Sequence, residues 1–299
     1  MAGINPEFWK KIIKERLYED VSFIGKSENA DEYVMNGVAV HIPQAGAPMT
    51  VQRNPSYPLP IVQRGDTDVL YMLDNYAVGV QRIGYFEEAE ISYLKKESVL
   101  RQIMFETSDF IARDTLRKWT DALPQTSRIA TTGAALPTTL GGTTGTRKSI
   151  APADILKAAT MLDNQKISMK ERYLLLSPDM YNQLVADTSL AYAFQNIINY
   201  KTGDLPELYG FKLMKYTQPI ITDAADTVKL PEAAVATTDN VSAIFWCAPF
   251  VEVANGKVEV FQDTRTAQYQ GDLVSLALRM GARRNRADNK GIGLITAKP

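Results

Sequence analysis

Histidine and cysteine most often carry acid–base, nucleophilic or metal chemistry, and each occurs once in this 299-residue sequence, as His41 and Cys247. His41 lies in the middle of a predicted strand, which is no setting for a Ser-His-Asp triad. One histidine and one cysteine are also too few for a zinc site. Cys247 lies in the apolar run 244–250 and has no second cysteine to pair with. We expect His41 to be structural, Cys247 to be buried, and the chain to be made in a reducing compartment.

A glycine-rich run near the middle of the chain invites comparison with a phosphate-binding loop. The run GGTTGTRKS ends in Lys148-Ser149, as the motif G-x-x-x-x-G-K-[ST] does, but Arg147 stands where that motif needs its second glycine. That glycine gives the backbone room to wrap around phosphate, and no buried strand is predicted before the run. The sequence therefore argues against a nucleotide site here.

The carboxylates do not pair into an active site. Asp66 and Asp68 lie in a predicted loop, and Glu87, Glu88 and Glu90 lie at the start of a predicted helix. Acids near a helix N-terminus are favoured by the helix dipole, which accounts for the last three without catalysis. We therefore expect no catalytic residue, no metal and no cofactor.

A basic cluster near the C-terminus is the strongest charge feature. It contains Arg279, Arg283, Arg284 and Arg286 against one acid, Asp288. Because Arg284 and Arg286 share the alternation of the preceding strand, one face of the cluster is predicted to be positive. Such a face can meet nucleic acid weakly and without specificity, carboxylates of a neighbouring subunit, or only water. The sequence leaves these alternatives open.

Composition sets limits on the whole chain. Thirty-three basic and 34 acidic side chains nearly cancel, which argues against a surface that binds nucleic acid throughout. The 45% apolar content allows one large core or two smaller ones. The N-terminal run MAGINPEFWKKII lacks the apolar core of a signal peptide, and no apolar run approaches the ~20 residues of a membrane span.

The longest predicted element is a helix at residues 88–123, which we call the spine. No glycine or proline occurs between Gly84 and Pro124, and a helix of this length spans about 50 Å. Its apolar residues form two predicted stripes. The first holds Leu100, Ile103, Met104, Phe110 and Ile111, and the second holds Phe105, Ala112, Leu116, Trp119 and Leu123. Since no strict heptad is present, we predict that the helix is a spine across an elongated subunit and that more than one partner packs against its two apolar faces.

Two features before the spine require a docking partner. An amphipathic helix is predicted at residues 6–19, and it must dock either on its own subunit or on a neighbouring chain. Strands are predicted at 38–42 and 69–73. The stretch 43–66 between them is rich in proline and glycine, with few large apolar side chains. It is therefore either disordered or laid on another molecule.

An α/β region is predicted after the spine. A Thr- and Gly-rich loop with weak strands at 126–149 precedes a helix beginning at Pro152, a buried strand at 173–176 and a helix opened by Ser177-Pro178. Further strands are predicted at 211–216, 233–237 and 273–280. Alternation in 250–261 around Asn255-Gly256 predicts a two-residue type I′ hairpin. That register sets Glu252 opposite Glu259, a like-charge pair that needs water or a cation from elsewhere, and we favour water.

The order of these parts resembles that of tailed-bacteriophage major capsid proteins of the Hong Kong 97-like fold. The residues that carry the resemblance are DEYVMNGVAVHIPQAG at 31–46, QRGDTDVLYMLDNY at 63–76, KERYLLLSPDMYNQLVAD at 170–187 and LYGFKLMKY at 208–216. The resemblance implies an α+β fold. Its expected parts are an N-terminal arm at 1–35, an extended E-loop hairpin at 36–84, a peripheral domain at 85–149 with the spine, an α/β axial domain at 150–249, and peripheral return strands at 250–299.

The same resemblance implies a function and partners. The chain is expected to assemble into pentamers and hexamers of an icosahedral shell around double-stranded DNA, in the cytoplasm of a bacterial host. Expected partners are further copies of itself, a portal, a separate scaffolding or decoration protein, and DNA held weakly by the basic cluster, with no membrane. Only residues 1–35 precede the extension, where some members of the family carry a long scaffolding segment, so we expect a separate scaffold or none.

The resemblance also bears on how the shell is held together. Some capsids of this fold join an E-loop lysine to a neighbour's asparagine, but this chain has no lysine between Lys26 and Lys95. Its extension carries arginines, which stay protonated and pair with carboxylates instead. We therefore expect a non-covalent shell. The predicted intersubunit contacts are Arg53, Arg64, Arg82, Glu252 and Glu259.

Two other functions remain open from the sequence. An encapsulin nanocompartment shares this fold but encloses cargo enzymes, and the helix at 6–19 resembles the one with which such proteins capture a cargo peptide. A soluble α+β enzyme is the second alternative, although the sequence offers no nucleophile, base or metal constellation for it.

Overall fold

The computed structural model of the chain describes residues 21–35, 39–44, 63–84, 94–187 and 207–299, and positions 46, 51, 53–55, 57, 58 and 61. The predicted helix at 6–19 and the first residues of the predicted spine, 88–93, lie outside the described residues. The described α-helices are α1 (Leu94–Thr120), α2 (Pro152–Asn164) and α3 (Pro178–Ala186).

The described strands run throughout the chain. They are β1 (Glu28–Asn29), β2 (Val34–Met35), β3 (Ala39–Gln44), β4 (Thr67–Met72), β5 (Asp74–Ala77), β6 (Gln81–Gly84), β7 (Arg128–Ala130), β8 (Ala135–Pro137), β9 (Thr146–Lys148), β10 (Arg172–Leu176), β11 (Glu207–Leu208), β12 (Phe211–Lys215), β13 (Ile220–Thr222), β14 (Asn240–Cys247), β15 (Val251–Thr266), β16 (Gly271–Arg284) and β17 (Ile292–Thr296).

A seven-stranded sheet, which we call the central sheet, has the order β11-β12-β10-β14-β17-β7, with β13 paired to β14. It is mixed, since β10 runs parallel to β12 and antiparallel to β14. Every residue of β10 and β17 is buried, as expected for strands covered on both faces. Apolar residues of α2 and α3 cover one face, and the spine α1 contributes to the core on the other.

A five-stranded sheet, which we call the long sheet, is built on β15 and β16, flanked by β1, β5 and β6. The predicted type I′ hairpin at Asn255-Gly256 is wrong. Both residues lie inside β15, a continuous strand of 16 residues, whose register with β16 shifts after Asn255. Gly256 serves close packing instead: a Cβ there would lie 2.8 Å from Arg279 Cβ. The favourable local turn is overridden by a much longer strand pairing.

The spine α1 joins the two sheets. Trp119 is fully buried, its ring centroid lies 5.7 Å from that of Trp246 in the central sheet, and its Nε1 donates to the Glu252 carbonyl of the long sheet at 3.1 Å. The helix ends at Thr120, and Ala122 then takes a positive φ before Pro124. The prediction of a spine held by more than one partner is therefore confirmed, with its end three residues earlier than predicted.

Most of the predicted burial on the spine is confirmed. Ile103, Met104, Ile111, Ala112, Leu116, Trp119 and Leu123 are buried. Two predictions are wrong, since Phe105 is 60% exposed and Phe110 is 36% exposed. Phe110 packs edge-on against Tyr76 and under the Arg113 guanidinium at the margin of the helix contact. The side chain of Leu100 lies outside the described part of the chain.

Other predicted elements are also found. The strands predicted at 38–42, 69–73, 173–176, 211–216 and 273–280 correspond to β3, β4, β10, β12 and part of β16, and weak strands β7, β8 and β9 occur in 126–149. Helix α2 begins at Pro152, and Ser177 Oγ accepts from Met180 N to cap α3. The strand predicted at 233–237 is wrong, because these residues form a bend and irregular backbone beside Asp239, whose carboxylate accepts from Ala236 N and Lys229.

Candidate functional site

The three-stranded sheet β2-β3-β4, which we call the extension hairpin, is seated on the long sheet by its inner face. Its buried residues Val40, Ile42, Val69 and Tyr71 form a small core with Leu73 and Ala254. Gly281 of β16 lies beneath it, where a Cβ would come within 2.6 Å of Leu73 Cδ2 and 2.8 Å of Tyr71 Cε2. Glycine is therefore needed at 281 for the hairpin to approach the sheet.

The outer face of the extension hairpin carries apolar side chains. Leu70 is 47% and Met72 67% exposed, and both alternate with the buried residues of β4. On the same face His41 Nδ1 lies 2.6 Å from Asp68 Oδ2, and both side chains are nearly half exposed. His41 is thus paired with a carboxylate at the surface of the hairpin, and its structural role stays a prediction.

The loop between β3 and β4, residues 45–66, we call the extension loop. Val51, Tyr57 and Ile61 are 97%, 82% and 101% exposed. At its base, Arg64 Nε donates to Asp66 Oδ1 at 2.6 Å and Gly46 N donates to the same oxygen at 2.9 Å. The Arg64 hydrogen bond, then that of Gly46, lowers the pKa of Asp66, and the Asp66 partner raises the pKa of Arg64. The loop is closed at its base and presents apolar side chains to solvent further out.

The predicted intersubunit residues fall into two groups. Arg53, Arg64 and Arg82 are exposed, and Glu259 is partly buried with its carboxylate against Lys257. Glu252 does not fit the prediction, because it is 2% exposed. In the observed register Glu252 faces Arg283 across the strand pair, whereas Glu259 faces Ala277. The prediction that Glu252 and Glu259 face each other is therefore wrong, and the prediction that water solvates the pair is wrong for Glu252.

Glu252 lies on the face of β15 that the extension hairpin covers. Neither its Oε1 nor the hydroxyl of Tyr71 makes a hydrogen bond of regular geometry within the described part of the chain, although the two groups interact. Burial, with repulsion from Glu28, raises the pKa of Glu252 to about 7, and Tyr71 and Arg283 act in the opposite direction. A carboxyl that changes charge near neutrality is thus enclosed beneath the hairpin.

The arginines of the predicted basic cluster do not form one positive face. Arg283 Nη1 donates to the Leu70 carbonyl at 2.7 Å, and Arg284 Nη1 donates to the Trp119 carbonyl at 3.0 Å on the opposite face of β16. Arg286 forms a two-pronged ion pair with Asp288 and holds the pKa of that carboxyl at about 2. Arg279 is exposed. The shared alternation of Arg284 and Arg286 is lost because β16 ends at Arg284.

A polar cluster that the sequence did not indicate connects the spine to β5. Lys118 Nζ lies 2.5 Å from Asp74, 2.9 Å from Asp114 and 2.8 Å from the Tyr76 hydroxyl, which donates to Asp114. Burial alone would lower the pKa of Lys118, but the hydrogen bonds to Asp74 and Tyr76 raise it above its usual value. Only the i,i+4 spacing of Asp114 and Lys118 was visible in the sequence.

A cleft of about 270 Å³ lies between the spine and residues 218–235. Its cations already have partners in the same chain: Arg113 pairs with Asp109 and Lys229 with Asp239. Among the described residues, no three metal-ligating side chains come together, and no described helix is long and apolar enough to cross a membrane.

No family model and no curated protein matches the chain. Solved structures do. The capsid of cyanophage P-SCSP1u matches with a TM-score of 0.65 at 16% identity, covering 92% of this chain and 87% of that one. A chain of Mycobacterium phage Che8 matches with a TM-score of 0.61 at 12% identity, covering 91% of this chain and 90% of that one. The capsid of a native GTA particle matches with a TM-score of 0.62 at 10% identity, covering 93% of this chain and 90% of that one. The predicted α+β phage-capsid fold is therefore confirmed.

Proposed function

We propose that this chain is the major capsid protein of a tailed bacteriophage, the subunit that associates with itself into an icosahedral shell. The observation that carries the proposal is the agreement of fold, over 91–92% of this chain, with the capsids of cyanophage P-SCSP1u and Ralstonia phage GP4. The role is structural rather than enzymatic. A large shell needs only ordinary interfaces, on the order of 800 Å² per partner, because each subunit makes many at once.

The extension is proposed as the main contact with a neighbouring copy. Its loop exposes Val51, Tyr57 and Ile61 almost completely, and the hairpin behind it exposes Leu70 and Met72. Burying one such side chain is worth about 1.5 to 3 kcal/mol, so leaving several in water favours association. Arg53 and Arg82 are proposed to pair with carboxylates of the neighbouring copy, whereas Arg64 already pairs with Asp66 of its own chain. An exposed pair of this kind contributes about 0 to 1 kcal/mol. Apolar contact would then supply most of the attraction.

The domain organisation is proposed along the same lines. Residues 1–35 would form the arm, 36–84 the extension, 85–149 and 250–299 the peripheral domain, and 150–249 the axial domain. Helices α2 and α3 share a core with strands β10, β12 and β14, which supports an axial unit. Residues 150–249 do not form this unit alone, because strands β17 and β7, which lie outside that range, belong to the same sheet.

The proposed contents and partners follow from the function. Pentamers and hexamers would enclose double-stranded DNA, with a portal and a separate scaffolding or decoration protein, and would assemble in the host cytoplasm. Arg279 and Arg283 are the exposed arginines of the cluster, and we propose that they meet a polyanion at the surface, although Arg283 also donates to the Leu70 carbonyl. Two arginines per subunit provide weak contact without sequence preference.

Electron microscopy of the expressed full-length chain tests the proposal. We expect closed icosahedral shells, whereas a monodisperse monomer on size exclusion would contradict it and favour a soluble enzyme. Particles purified from infected cells should contain nuclease-protected double-stranded DNA. A shell of the same fold that holds cargo enzyme and no DNA would instead identify a nanocompartment.

A further inference from the structure

The seat of the extension hairpin encloses a carboxyl, that of Glu252, which forms no salt bridge with the residues that the structure describes. Glu252 is 2% exposed, and its Oε1 lacks a regular hydrogen bond within the described part of the chain. Tyr71 covers it from β4, and the buried Tyr71 hydroxyl interacts with this carboxyl, although not through a hydrogen bond of regular geometry. An unpaired buried carboxylate costs several kcal/mol, so this group is unstable in its charged form as long as the hairpin stays seated.

The groups that face Glu252 do not offset that cost. Arg283 of β16 is opposite it, but its Nη1 is engaged with the Leu70 carbonyl of the hairpin at 2.7 Å. Glu28 of β1 adds a second negative charge, since Glu28 and Glu252 are register partners in the parallel pairing of β1 with β15. Asp31, in the turn after β1, accepts from Asn255 N at 2.6 Å and adds a negative charge near the Tyr71 hydroxyl. Glu252 therefore has one guanidinium and one phenol to set against burial and the repulsion of Glu28.

We propose that Glu252 is a proton-operated latch that controls whether the extension hairpin stays seated on the long sheet. With the carboxyl neutral, Tyr71 covers it, the small core of Val40, Val69, Leu73 and Ala254 stays closed, and the hairpin is fixed. Once the carboxyl is ionised, it requires water, which reaches it only if the seat opens. The latch belongs to the single subunit, so it goes beyond the proposed shell function and holds whether or not shells form.

The pH range of the latch follows from linkage. The pKa of Glu252 is about 7 in the closed seat, against an ordinary value of 4.5 when the seat is open. The open state gains relative to the closed one as pH rises between these values, by about tenfold per pH unit, and the gain levels off above about pH 7. Below pH 4.5 both states are protonated and the opening no longer depends on this group.

Native-state thiol labelling of the full-length chain tests the latch. Val69→Cys places a near-isosteric probe thiol in the seat, and Cys247, buried in the central sheet, is the internal control. Labelling at each site is followed by mass spectrometry from pH 5 to 8.5 and divided by the rate for an unfolded peptide carrying the same thiol. We expect the corrected rate at position 69 to rise about tenfold per pH unit up to pH 7 and then level off. Cys247 should label far more slowly at every pH.

Three variants in this background distinguish a latch from a merely buried side chain. Glu252→Gln should remove the pH dependence at position 69, and Glu259→Gln, a carboxylate elsewhere on β15, should leave it intact. Tyr71→Phe removes a hydroxyl that lowers the pKa of Glu252, so the levelling-off should move to higher pH. A flat profile in the unsubstituted probe chain, a retained slope in Glu252→Gln, or equal labelling at positions 69 and 247 would overturn the proposal.

Discussion

Lys118 is the residue on which the junction between the spine and β5 depends. It neutralises Asp114, which is 12% exposed, and contacts Asp74, which is 59% exposed. Lys118→Met should lower the free energy of unfolding by about 3 kcal/mol, because it leaves Asp114 with Tyr76 and Arg117 but without its close cation. Asp74→Asn is the control, and it should cost less than about 1 kcal/mol since the lost contact is at the surface. Urea unfolding of both variants measures the difference.

Glu252 makes the stability of the whole subunit depend on pH. Its pKa is about 7 in the folded chain against 4.5 ordinarily, so the folded state binds the proton more tightly. The free energy of unfolding should therefore fall as pH rises from about 4.5 to 7, by at most about 3 kcal/mol from this group. Glu252→Gln should remove this contribution to the pH dependence of the free energy of unfolding. At pH 8 the variant should be more stable than the unsubstituted protein. Thermal unfolding of both proteins from pH 5 to 8 gives the comparison, and parallel curves would contradict this assignment.

At the scale of elements, the spine distinguishes apolar residues that are buried from those that are not. Ile103 is 5% exposed, so Ile103→Asp should prevent folding by burying an unpaired carboxylate at several kcal/mol. Phe105→Asp, on the exposed side two residues later, should fold with nearly unchanged stability. Phe110→Asp should cost about 1 to 2 kcal/mol, since it loses only the packing against Tyr76 and Arg113. Circular dichroism and thermal melts of the three variants rank these effects, and equal destabilisation would show that the buried face is misassigned.

Element types were predictable from the sequence where a local period decides them. The alternation in β3 and β4 and the Ser177-Pro178 helix start needed no knowledge of distant residues. The hairpin at Asn255-Gly256 failed because the pairing of β15 with β16, and the approach of Arg279 to Gly256, depend on residues that are remote in sequence. The burial of Glu252 and the cluster around Lys118 were not predicted, because they too depend on residues that are remote in sequence. Phe105 and Phe110 show that an apolar stripe does not reveal which of its faces has a partner.

The extension loop should be dispensable for folding and required for assembly. Pro43 and Asp68 are register partners, so deleting residues 44–65 leaves a two-residue connection between β3 and β4. The buried core of the hairpin is formed by Val40, Val69, Tyr71 and their neighbours, and only Ile42 is close to the cut. We expect a cooperative unfolding transition but no shells in electron micrographs. Loss of that transition would contradict the prediction.

A second variant separates the length of the extension loop from its chemistry. Substituting Val51, Tyr57 and Ile61 by serine keeps the loop intact and removes its exposed apolar side chains. If these side chains are buried against a neighbouring copy, the triple variant should assemble as poorly as the deletion, since each contributes about 1.5 to 3 kcal/mol when buried. Normal shells from the triple variant would place the contact elsewhere on the extension.

At the scale of the whole molecule, the three cores among the described residues predict that the subunit folds alone, while its exposed loop favours association. The spine, the central sheet and the long sheet share one core, α2 and α3 cover the opposite face of the central sheet, and the extension hairpin closes a third, smaller core. The body therefore needs no second chain for its own burial. The extension loop does, because its described apolar residues have no core within the subunit. Stability and assembly thus reside in different parts of one chain.

We predict that the proposed shell is held together without covalent bonds. The isopeptide link of some capsids of the resembled fold uses a lysine amine on the extension, placed against an amide and deprotonated by a nearby carboxylate. The sequence has no lysine from residue 27 to 94, and the arginines of the extension stay protonated and are not nucleophiles. Arg64 is already bound to Asp66, which leaves Arg53 and Arg82 as the exposed arginines of the extension that can turn to a neighbour. Boiled and reduced particles should therefore run on a denaturing gel as one band near 33.2 kDa, and a ladder of covalent multimers would contradict this.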